Sequence, residues 1–258
     1  MFAHERHQAI QQLLSKKRRL SVAALQRELK VSSATLRRDL TELENDNLVV
    51  RVHGGVVHPS ALRSEPTFTQ KGARSMAAKR AIARTTAERI PDGATLFIDA
   101  GTTCLEVARL LLTRRDLTLI TNSVPLLGLA TTEHAATVIG LGGELRAVSG
   151  ALTGSLALSW LASVHADIAI VAASGLSLED GASTTELAES AMKQQFLARS
   201  TKRILVADSS KWNVPSTAKF ADWTGFDTWV TDATLSPRER AALSRHHLHL
   251  IQVKNEAQ

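Results

Sequence analysis

The chain has little cysteine and no long apolar run, and each absence excludes a class of protein. Cys104 is the only cysteine among the 258 residues, which excludes an internal disulfide framework and a cluster of thiolate ligands for zinc. No apolar run approaches the roughly 18 to 20 residues that a membrane-spanning helix needs. The first residues include Glu5 and Arg6 and lead into an amphipathic pattern rather than an apolar signal core. We therefore expect a cytoplasmic protein without a membrane partner.

Histidine is the remaining candidate for metal ligation. His246, His247 and His249 lie close together near the C-terminus, but they alternate with Leu248 and Leu250. Alternation of this kind is typical of a β-strand with one polar face, so a strand is favoured over a metal site. The sequence predicts no bound metal and no cofactor.

Positive charge is concentrated at the N-terminus. Residues 1–60 contain ten Lys or Arg and six Asp or Glu, a net charge of +4, whereas residues 61–258 contain 21 and 19, a net charge of +2. A small basic segment attached to a nearly neutral body is typical of a module that binds a polyanion such as DNA. A solvated basic face would give the same charge balance.

The apolar pattern of residues 1–58 predicts a winged helix. Helical spacing indicates a first helix around residues 9–14, a second after the N-cap Ser21, and a third over residues 34–45. The β-rich runs 48–52 and 56–57 flank Gly54 and Gly55, and paired glycines permit the tight turn of a hairpin. Three helices followed by a hairpin are the elements of this fold.

The rest of the chain predicts an α/β domain. From residue 59 to residue 75 the apolar rhythm lapses, which we interpret as an interdomain linker. Residues 76–258 begin with a helix at about 76–90, and helical stretches then alternate with short β-rich runs at 96–98, 117–120, 137–139, 168–171, 204–206 and 229–230. This alternation predicts the fold class α/β with a mostly parallel sheet.

The third helix carries the candidate DNA contacts. A helix fits the major groove, where hydroxyl groups can bind phosphate oxygens and arginine can bind guanine or phosphate. Arg38 could instead pair with Glu42 one turn along the helix, and Asp39 fits a structural ion pair better than a DNA contact. The candidate DNA-binding residues are Ser32, Ser33, Thr35, Arg37, Arg38 and, in the wing, Arg51 and His53.

Three loops that follow predicted strands form a second group of candidates. Asp99 precedes the turn Gly101-Thr102-Thr103 at the start of a helix, where backbone N–H groups and hydroxyls can bind a phosphate. Thr121-Asn122 and Gly142-Gly143 follow the next two strands. Each loop by itself is more often a cap or a turn, but the carboxyl ends of parallel strands converge on one crevice.

These motifs resemble those of the DeoR-type bacterial regulators. The segment Val31-Ser32-Ser33-Ala34-Thr35-Leu36-Arg37-Arg38-Asp39-Leu40 and the wing ending Arg51-Val52-His53-Gly54-Gly55 are similar to the family's helix-turn-helix. The later segments resemble its effector domain, which is similar in fold to ribose-5-phosphate isomerase. In the family these segments line an effector pocket, which here implies Asp99, Gly101, Thr102, Thr103, Thr121, Asn122, Gly142, Gly143, Lys193, Asp208 and Lys211.

The resemblance implies a regulator that responds to a phosphorylated metabolite. Lys193 and Lys211 would be the cationic partners of a phosphate, and Asp99 and Asp208 would bind hydroxyl groups. Trp212 stands where the family usually has Phe. We therefore expect a repressor of a sugar or polyol catabolic operon, a homodimer or homotetramer that binds a double-stranded DNA operator and a phosphorylated sugar or polyol.

Other functions fit parts of the sequence. A sugar-phosphate isomerase with an N-terminal nucleic-acid-binding appendage would use a carboxylate base, for which Glu144 is the candidate. A structural nucleoid protein would have no use for the large second domain. Cys104 follows the Gly-Thr-Thr turn, but no histidine in these motifs could act as its base, so we interpret it as a buried residue and assign no catalytic residues.

Overall fold

The computed structural model describes residues 3–17, 19–29, 31–46, 48–52, 55–57, 65–132, 135–214 and 216–254. The chain divides into two compact units, Met1–Glu65 and Pro66–Gln258. Within the described residues, no helix is long and apolar enough to span a membrane.

The smaller unit is a winged helix, as predicted. Its elements are α1 (Ala3–Lys17), β1 (Arg19–Ser21), α2 (Val22–Leu29), α3 (Ser33–Asn45), β2 (Val50–Val52) and β3 (Gly55–Val57). The three strands form an antiparallel sheet in the order β1-β3-β2. Only β2 and β3 were predicted. Strand β1 lies at the end of the basic stretch after α1, and its backbone pairs with the edge of β3 that does not pair with β2.

Leucine and isoleucine side chains from all three helices form the core of this unit. Ile10, Leu25 and Leu36 are completely buried, and Leu40 and Leu43 nearly so. Burial at positions 36, 40 and 43 leaves the other side of α3 to polar residues, because residues three and four apart lie on one helix face.

A buried carboxylate joins α3 to α1. Arg6 donates to both carboxylate oxygens of Asp39, from Nε at 2.7 Å and from a terminal nitrogen at 2.8 Å, and His7 Nε2 lies 3.3 Å from Asp39 Oδ1. The hydrogen bond from Arg6 holds the pKa of Asp39 below its ordinary value of 3.8. The interpretation of Asp39 as a structural ion pair is therefore confirmed.

We expect Asp39→Asn to destabilise α3 by about 1–3 kcal/mol, since it removes a charge-assisted contact from a buried group. Faster hydrogen exchange of α3 amides would measure the loss, and Asp46→Asn, on the exposed end of the same helix, is the matched control. Because the pKa of Asp39 is lower in the folded state, the stabilisation is complete above pH 3.8 and is lost as the pH falls below it. Unchanged exchange in Asp39→Asn would contradict this role.

The larger unit is built on a seven-stranded parallel sheet. The strands are β4 (Thr95–Ile98), β5 (Thr118–Thr121), β6 (Thr137–Gly140), β9 (Ala166–Val171), β12 (Ser200–Val206), β14 (Thr228–Thr231) and β15 (His249–Gln252), in the order β15-β14-β12-β9-β4-β5-β6. Six of the seven were predicted as β-rich runs at these positions. The seventh, β15, overlaps the strand favoured for the clustered histidines, but it contains only His249 of the three. The predicted α/β class with a mostly parallel sheet is confirmed.

Helices and two small antiparallel sheets complete this unit. The helices are α4 (Phe68–Gly72), α5 (Met76–Ala87), α6 (Thr102–Leu111), α7 (Val124–Ala130), α8 (Ser155–Ala162), α9 (Leu187–Ala198) and α10 (Pro237–Ser244). The small sheets pair β7 (Glu144–Arg146) with β8 (Ala151–Thr153), and β10 (Gly175–Ser177) with β11 (Gly181–Thr184) and β13 (Ala218–Ala221).

Both faces of the parallel sheet are buried. Phe97 points into the core beneath α8 and α9, whereas its neighbours Leu96 and Ile98 point into the core beneath α5 and α6. Burial on both sides explains why the strands are continuous apolar runs. The chain passes from β4 outward to β6 and then returns to β9 beside β4, so the topological switch point lies between β4 and β9, where ligands bind in sheets of this kind.

The segment before α5 differs from the predicted linker 59–75. Residues 59–64 lie outside the described residues, but residues 66–75 belong to the larger unit and contain α4. A capping box starts this helix: Thr67 Oγ1 accepts from Gln70 N, and Gln70 Oε1 accepts from Thr67 N. The Thr-x-x-Gln pattern could have indicated a helix here, but one turn of helix is too short to show apolar periodicity.

Candidate effector pocket and DNA-binding surface

The N-terminus of α3 is capped and exposed. Ser32 Oγ accepts a hydrogen bond from Thr35 N at 3.2 Å and lies 2.8 Å from Thr35 Oγ1. Ser32 and Ser33 are exposed, and Thr35 is half-buried. The cap occupies part of the hydrogen-bonding capacity of Ser32 and Thr35, but Ser33 and the helix N-terminus stay accessible to an anion.

Two arginines of α3 face solvent. Arg37 and Arg38 are exposed, and neither side chain forms a hydrogen bond or ion pair with another residue that the structure describes. The alternative pairing of Arg38 with Glu42 is not formed; Glu42 instead lies 3.7 Å from His7 Nε2. Both guanidinium groups therefore remain available to a phosphate or a base edge.

The wing contributes one described candidate. Arg51 is exposed on β2, its backbone N–H donates to Glu44 Oε1 at 3.2 Å, and its side chain lies 3.5 Å from Thr41 Oγ1. His53 lies outside the described residues. The exposed serines and arginines of α3 and the start of the wing thus belong to the same small unit.

The carboxyl end of β4 meets that of β9 through Asp99. Its Oδ2 accepts a hydrogen bond from Ala172 N at 3.1 Å, directly after β9, and forms an ion pair with Lys193. Asp99 and Lys193 are both buried. Two residues far apart in the sequence therefore join three elements at the topological switch point.

Lys193 is bound within the protein. Besides Asp99, its Nζ donates to Ala172 O at 3.0 Å and lies 5.5 Å above the ring of Phe220. Burial disfavours the ammonium form, but the charges of Asp99 and Glu189 outweigh burial and raise the pKa of Lys193. This geometry does not favour the expected direct contact with a phosphate; Lys193 and Asp99 form the floor of the crevice instead.

Thr121 and Asn122 also bond to the backbone. Thr121 Oγ1 donates to Ile98 O at 2.7 Å, while Asn122 accepts from Ala100 N at 3.0 Å and donates to Leu152 O at 3.1 Å. Both are buried. They hold the loop after β4 against the loop after β5, and so shape the crevice.

Helix α6 begins at the same edge. Its N-cap is Gly101, which provides no side-chain hydrogen bond to the first turn. A Cβ on Gly101 would lie 2.8 Å from Ala172 Cβ, so only glycine fits between the two strand ends. Thr103 is buried, and Thr102 lies beside Gly72 of α4, since a Cβ on Gly72 would be 3.9 Å from Thr102 Cγ2.

Gly142 and Gly143 differ sharply in their surroundings. Gly143 has a φ of +135°, and a Cβ there would lie 2.3 Å from Thr153 O. Nothing lies within 4 Å of a Cβ built on Gly142. Gly143 therefore permits the close approach of β7 to β8, whereas Gly142 has room for a side chain.

We expect Gly143→Ala to lower the free energy of unfolding of the larger unit by roughly 2–4 kcal/mol, through backbone strain and the clash with Thr153. The adjacent Gly142→Ala is the matched control and should cost less than about 1 kcal/mol. Urea unfolding measures both. Equal losses in the two variants would contradict the assignment of the strain to Gly143.

Lys211 belongs to a group of mutually interacting cations, Lys71, Arg74, Lys79 and Lys211, called the cation cluster below, of which Lys79 and Lys211 also interact with Asp208. Burial lowers the pKa of Lys211, the charge of Asp208 opposes this change, and the charges of Lys71 and Arg74 add to it. Asp208 is buried and its Oδ1 accepts from Ser210 N at 3.1 Å. Positive charge exceeds negative charge at this point.

Lys79 anchors the cluster. It is almost completely buried on α5, and its Nζ donates to Lys71 O and, at 2.7 Å, to Arg74 O. These two bonds fix the turn between α4 and α5. Burial lowers the pKa of Lys79, partly offset by Asp208 and reinforced by Lys211.

Sequence reasoning missed Lys71, Arg74 and Lys79. The first two lie in the predicted linker, and Lys79 is on a helix that was assigned no role. The signal available was Lys71, Arg74, Lys79 and Arg80 within ten residues directly before the first strand of the larger unit. A basic run of this kind more often indicates a solvated helix face, so only the fold places it beside Lys211.

Trp212 fixes the loop that carries Lys211. Its ring packs against Trp229 at 5.3 Å and Trp223 at 5.9 Å between centroids, and its Nε1 donates to Glu239 Oε1 at 2.9 Å. A phenylalanine could not make this hydrogen bond. The departure from the family's usual residue therefore adds an anchor to the loop.

Comparison with known proteins assigns both units. The DeoR-like helix-turn-helix domain family matches residues 6–61, and the DeoR C terminal sensor domain family matches residues 74–233. The chain belongs to the DeoR family. Both expected domain types are thereby confirmed over most of the sequence.

The relatives of this DeoR-family chain match it over nearly its whole length. It is 36% identical over 240 residues to the HTH-type transcriptional regulator GlpR of Haloferax volcanii, covering 93% of this chain and 94% of the relative. It is 32% identical over 246 residues to the glycerol-3-phosphate regulon repressor of Escherichia coli K12, covering 95% and 97%.

The family match decides between the alternative functions. DeoR proteins of this two-domain type are transcriptional regulators and not enzymes, so the chain is a DNA-binding transcriptional regulator with a small-molecule sensor domain. Ribose 5 phosphate isomerase A of Neisseria gonorrhoeae is similar over 52% of each chain, with 16% identity and a TM-score of 0.37, which is too little to argue function. Cys104 is buried and burial raises the pKa of its thiol well above the ordinary value, which suits a packing residue.

Proposed function

We propose that this regulator represses a sugar or polyol operon and that a phosphorylated sugar or polyol in the larger unit controls its binding to the operator. The observation that carries the proposal is the cation cluster of Lys71, Arg74, Lys79 and Lys211 beside the N-terminus of α6. The name of the Escherichia coli relative, a glycerol-3-phosphate regulon repressor, supports an effector of this class.

The cluster needs an anion. Lys79 and Lys211 interact with Asp208 and with other cations, and burial lowers the pKa of both lysines, so their positive charge is held at a cost in free energy. A dianionic phosphate would remove this cost by forming charge-assisted hydrogen bonds. Lys211, Lys71 and Arg74 are the proposed phosphate ligands, together with the first backbone N–H groups of α6 at Thr102.

The sugar or polyol part would lie toward the switch point. Asp208 uses one carboxylate oxygen for Ser210 N, and its other oxygen can accept a hydroxyl group. The Asp99–Lys193 pair, Thr121 and Asn122 already have partners in the protein and would bound the site rather than bind the phosphate. This proposal keeps Thr102, Asp208 and Lys211 as direct ligands and adds Lys71 and Arg74.

The winged helix would bind the operator through α3. Ser33, Arg37 and Arg38 are exposed there, and Arg51 is exposed on β2. A single winged helix contacts one half-site, so two copies of the chain would bind two half-sites together. The effector would act by preferring one arrangement of the two copies over the other.

A thermal-shift screen tests the effector. A phosphorylated sugar or polyol at about 100 times its Kd is expected to stabilise the protein by ~2.7 kcal/mol and to raise Tm by several degrees, whereas the same compound without phosphate should not. Binding should weaken at alkaline pH. The lysines are charged below their lowered pKa, and they lose their positive charge, and with it their attraction for the phosphate, as the pH rises through that pKa. Equal shifts with and without phosphate would contradict the proposal.

A further inference from the structure

Large apolar side chains are exposed on three adjoining elements of the larger unit. Leu156 on α8 is 76% exposed, Leu187 at the start of α9 is 73% exposed, and Leu145 on β7 and Trp160 on α8 are also exposed. Helix α8 packs against β8 and α9, and β7 pairs with β8. These four side chains, called the α8 face below, account for half of the large exposed hydrophobic residues found among the described parts of the chain.

The exposed side of α8 carries two large apolar residues and no charged residue. Leu156 and Trp160 are four residues apart and so lie on one face, one turn from each other. Their neighbours on that face are Ser159 and Ser163, both exposed. Isolated exposed leucines need no explanation, but an aromatic and an aliphatic residue together on one helix face are typical of an interface core.

The charge of this segment indicates what covers it. No Lys, Arg, Asp or Glu occurs between Arg146 and Asp167, although 22% of the whole chain is charged. In a two-fold contact between identical subunits each patch faces its own copy, so any net charge on the patch would repel itself. Leu156 and Trp160 on α8 meet this requirement, since the charged residues nearest in the sequence to the other two leucines, among them Glu144 and the paired Arg146 and Glu189, lie outside this segment. An uncharged centre offers little to a nucleic acid or to an oppositely charged partner.

We infer that the α8 face is the contact between two copies of this chain. Trp160 and Leu156 form its centre, Leu145 and Leu187 extend it, and the Arg146–Glu189 ion pair, 3.0 Å between Nη1 and Oε1, lies at its edge. The surface shares no residue with the cation cluster or with α3. It does not depend on the identity of the effector.

Helix α9 runs from the α8 face to the switch point. Leu187 is in its first turn, and Lys193, paired with Asp99, is six residues further along, about 9 Å at 1.5 Å per residue. A shift of α9 would therefore move both the interface and the floor of the crevice.

Sedimentation of the full chain tests the interface. The native protein is expected to sediment at twice the 27.9 kDa chain mass or more. The double variant Leu156→Glu with Trp160→Glu is expected to raise the dissociation constant of the dimer by about 100-fold or more, and so to halve the mass at micromolar concentration. Leu110→Glu is the matched control, because Leu110 is exposed on α6, away from this face, and should leave the mass unchanged.

Two further measurements separate interface loss from misfolding. The circular dichroism spectrum of the Glu variants should match that of the native chain, and the uncharged pair Leu156→Gln with Trp160→Gln should also dissociate. When the native chain is dissociated by dilution, the Trp160 emission should shift to the red, a change absent on dilution of Trp160→Phe. A monomeric native chain, or a native mass retained by both double variants, would overturn the inference and leave the winged-helix unit or another protein as the occupant of the face.

Discussion

Replacing both Arg37 and Arg38 by alanine is expected to weaken operator binding by about 100-fold, because each guanidinium contact with a base edge or phosphate contributes ~1–3 kcal/mol. The two side chains are exposed on α3 and unpaired within the described chain, so their removal should not disturb the core formed by Leu36, Leu40 and Leu43. The measurement is a titration of a duplex selected by the native chain from a random pool.

The salt dependence of binding identifies the kind of contact. If both arginines contact phosphates, the slope of log K against log salt should fall by about 2. The control variant, Arg238→Ala with Arg245→Ala, removes the same charge from exposed positions of the larger unit. Native affinity in the α3 variant, or an equal loss in the control, would remove α3 from the DNA interface.

Replacing Lys211 by glutamine is expected to weaken binding of the phosphorylated effector by about 10- to 100-fold. The affinity for the operator without effector should stay unchanged. The substitution removes one charge-assisted hydrogen bond between the cation cluster and the phosphate, which lowers the free energy of binding by ~1.5–3 kcal/mol. The effector concentration that changes operator binding by half measures the effect. Trp212, next in the sequence and packed against two other tryptophans, gives a second readout through its fluorescence.

Lys202→Gln provides the matched control for this variant. Lys202 is exposed on β12, the strand that leads to the Lys211 loop, but it lies toward the opposite end of the sheet. A native effector response is expected. An unchanged response in Lys211→Gln would exclude the cation cluster as the phosphate site, whereas a loss of operator binding without effector would show that Lys211 serves the DNA-bound form of the protein.

Periodicity predicts the large elements of this fold well. Only a helix buries the apolar stripe of α3 on one face, and only strands covered on both sides bury the continuous apolar runs of β4, β5 and β9. The type and position of these elements therefore follow from the sequence. The small sheets do not follow in the same way. β7, β10 and β11 are three or four residues long, and their pairing depends on tertiary contacts such as the approach of Gly143 to Thr153.

The site is predicted less completely than the fold. The sequence indicates the strand-end loops because Asp99, Thr102 and Asn122 follow recognisable strands. The hydrogen bonds that these side chains make, however, join residues far apart in the sequence, and no local pattern predicts them. Lys193 illustrates the limit: the family resemblance implies a ligand-binding cation, but its partner Asp99 is 94 residues away. The basic residues of α4 and α5 join the site only because α5 packs on α6.

The buried pair of Asp99 and Lys193 also constrains how this protein can diverge. Loss of either partner leaves an uncompensated charge away from water, which costs roughly 3–5 kcal/mol, a large part of the stability of a typical domain. A lineage could abandon the pair only by exchanging both residues for neutral ones within a short interval of descent. Positions 99 and 193 should therefore be inherited as a unit, even where the surrounding loops change to suit another effector.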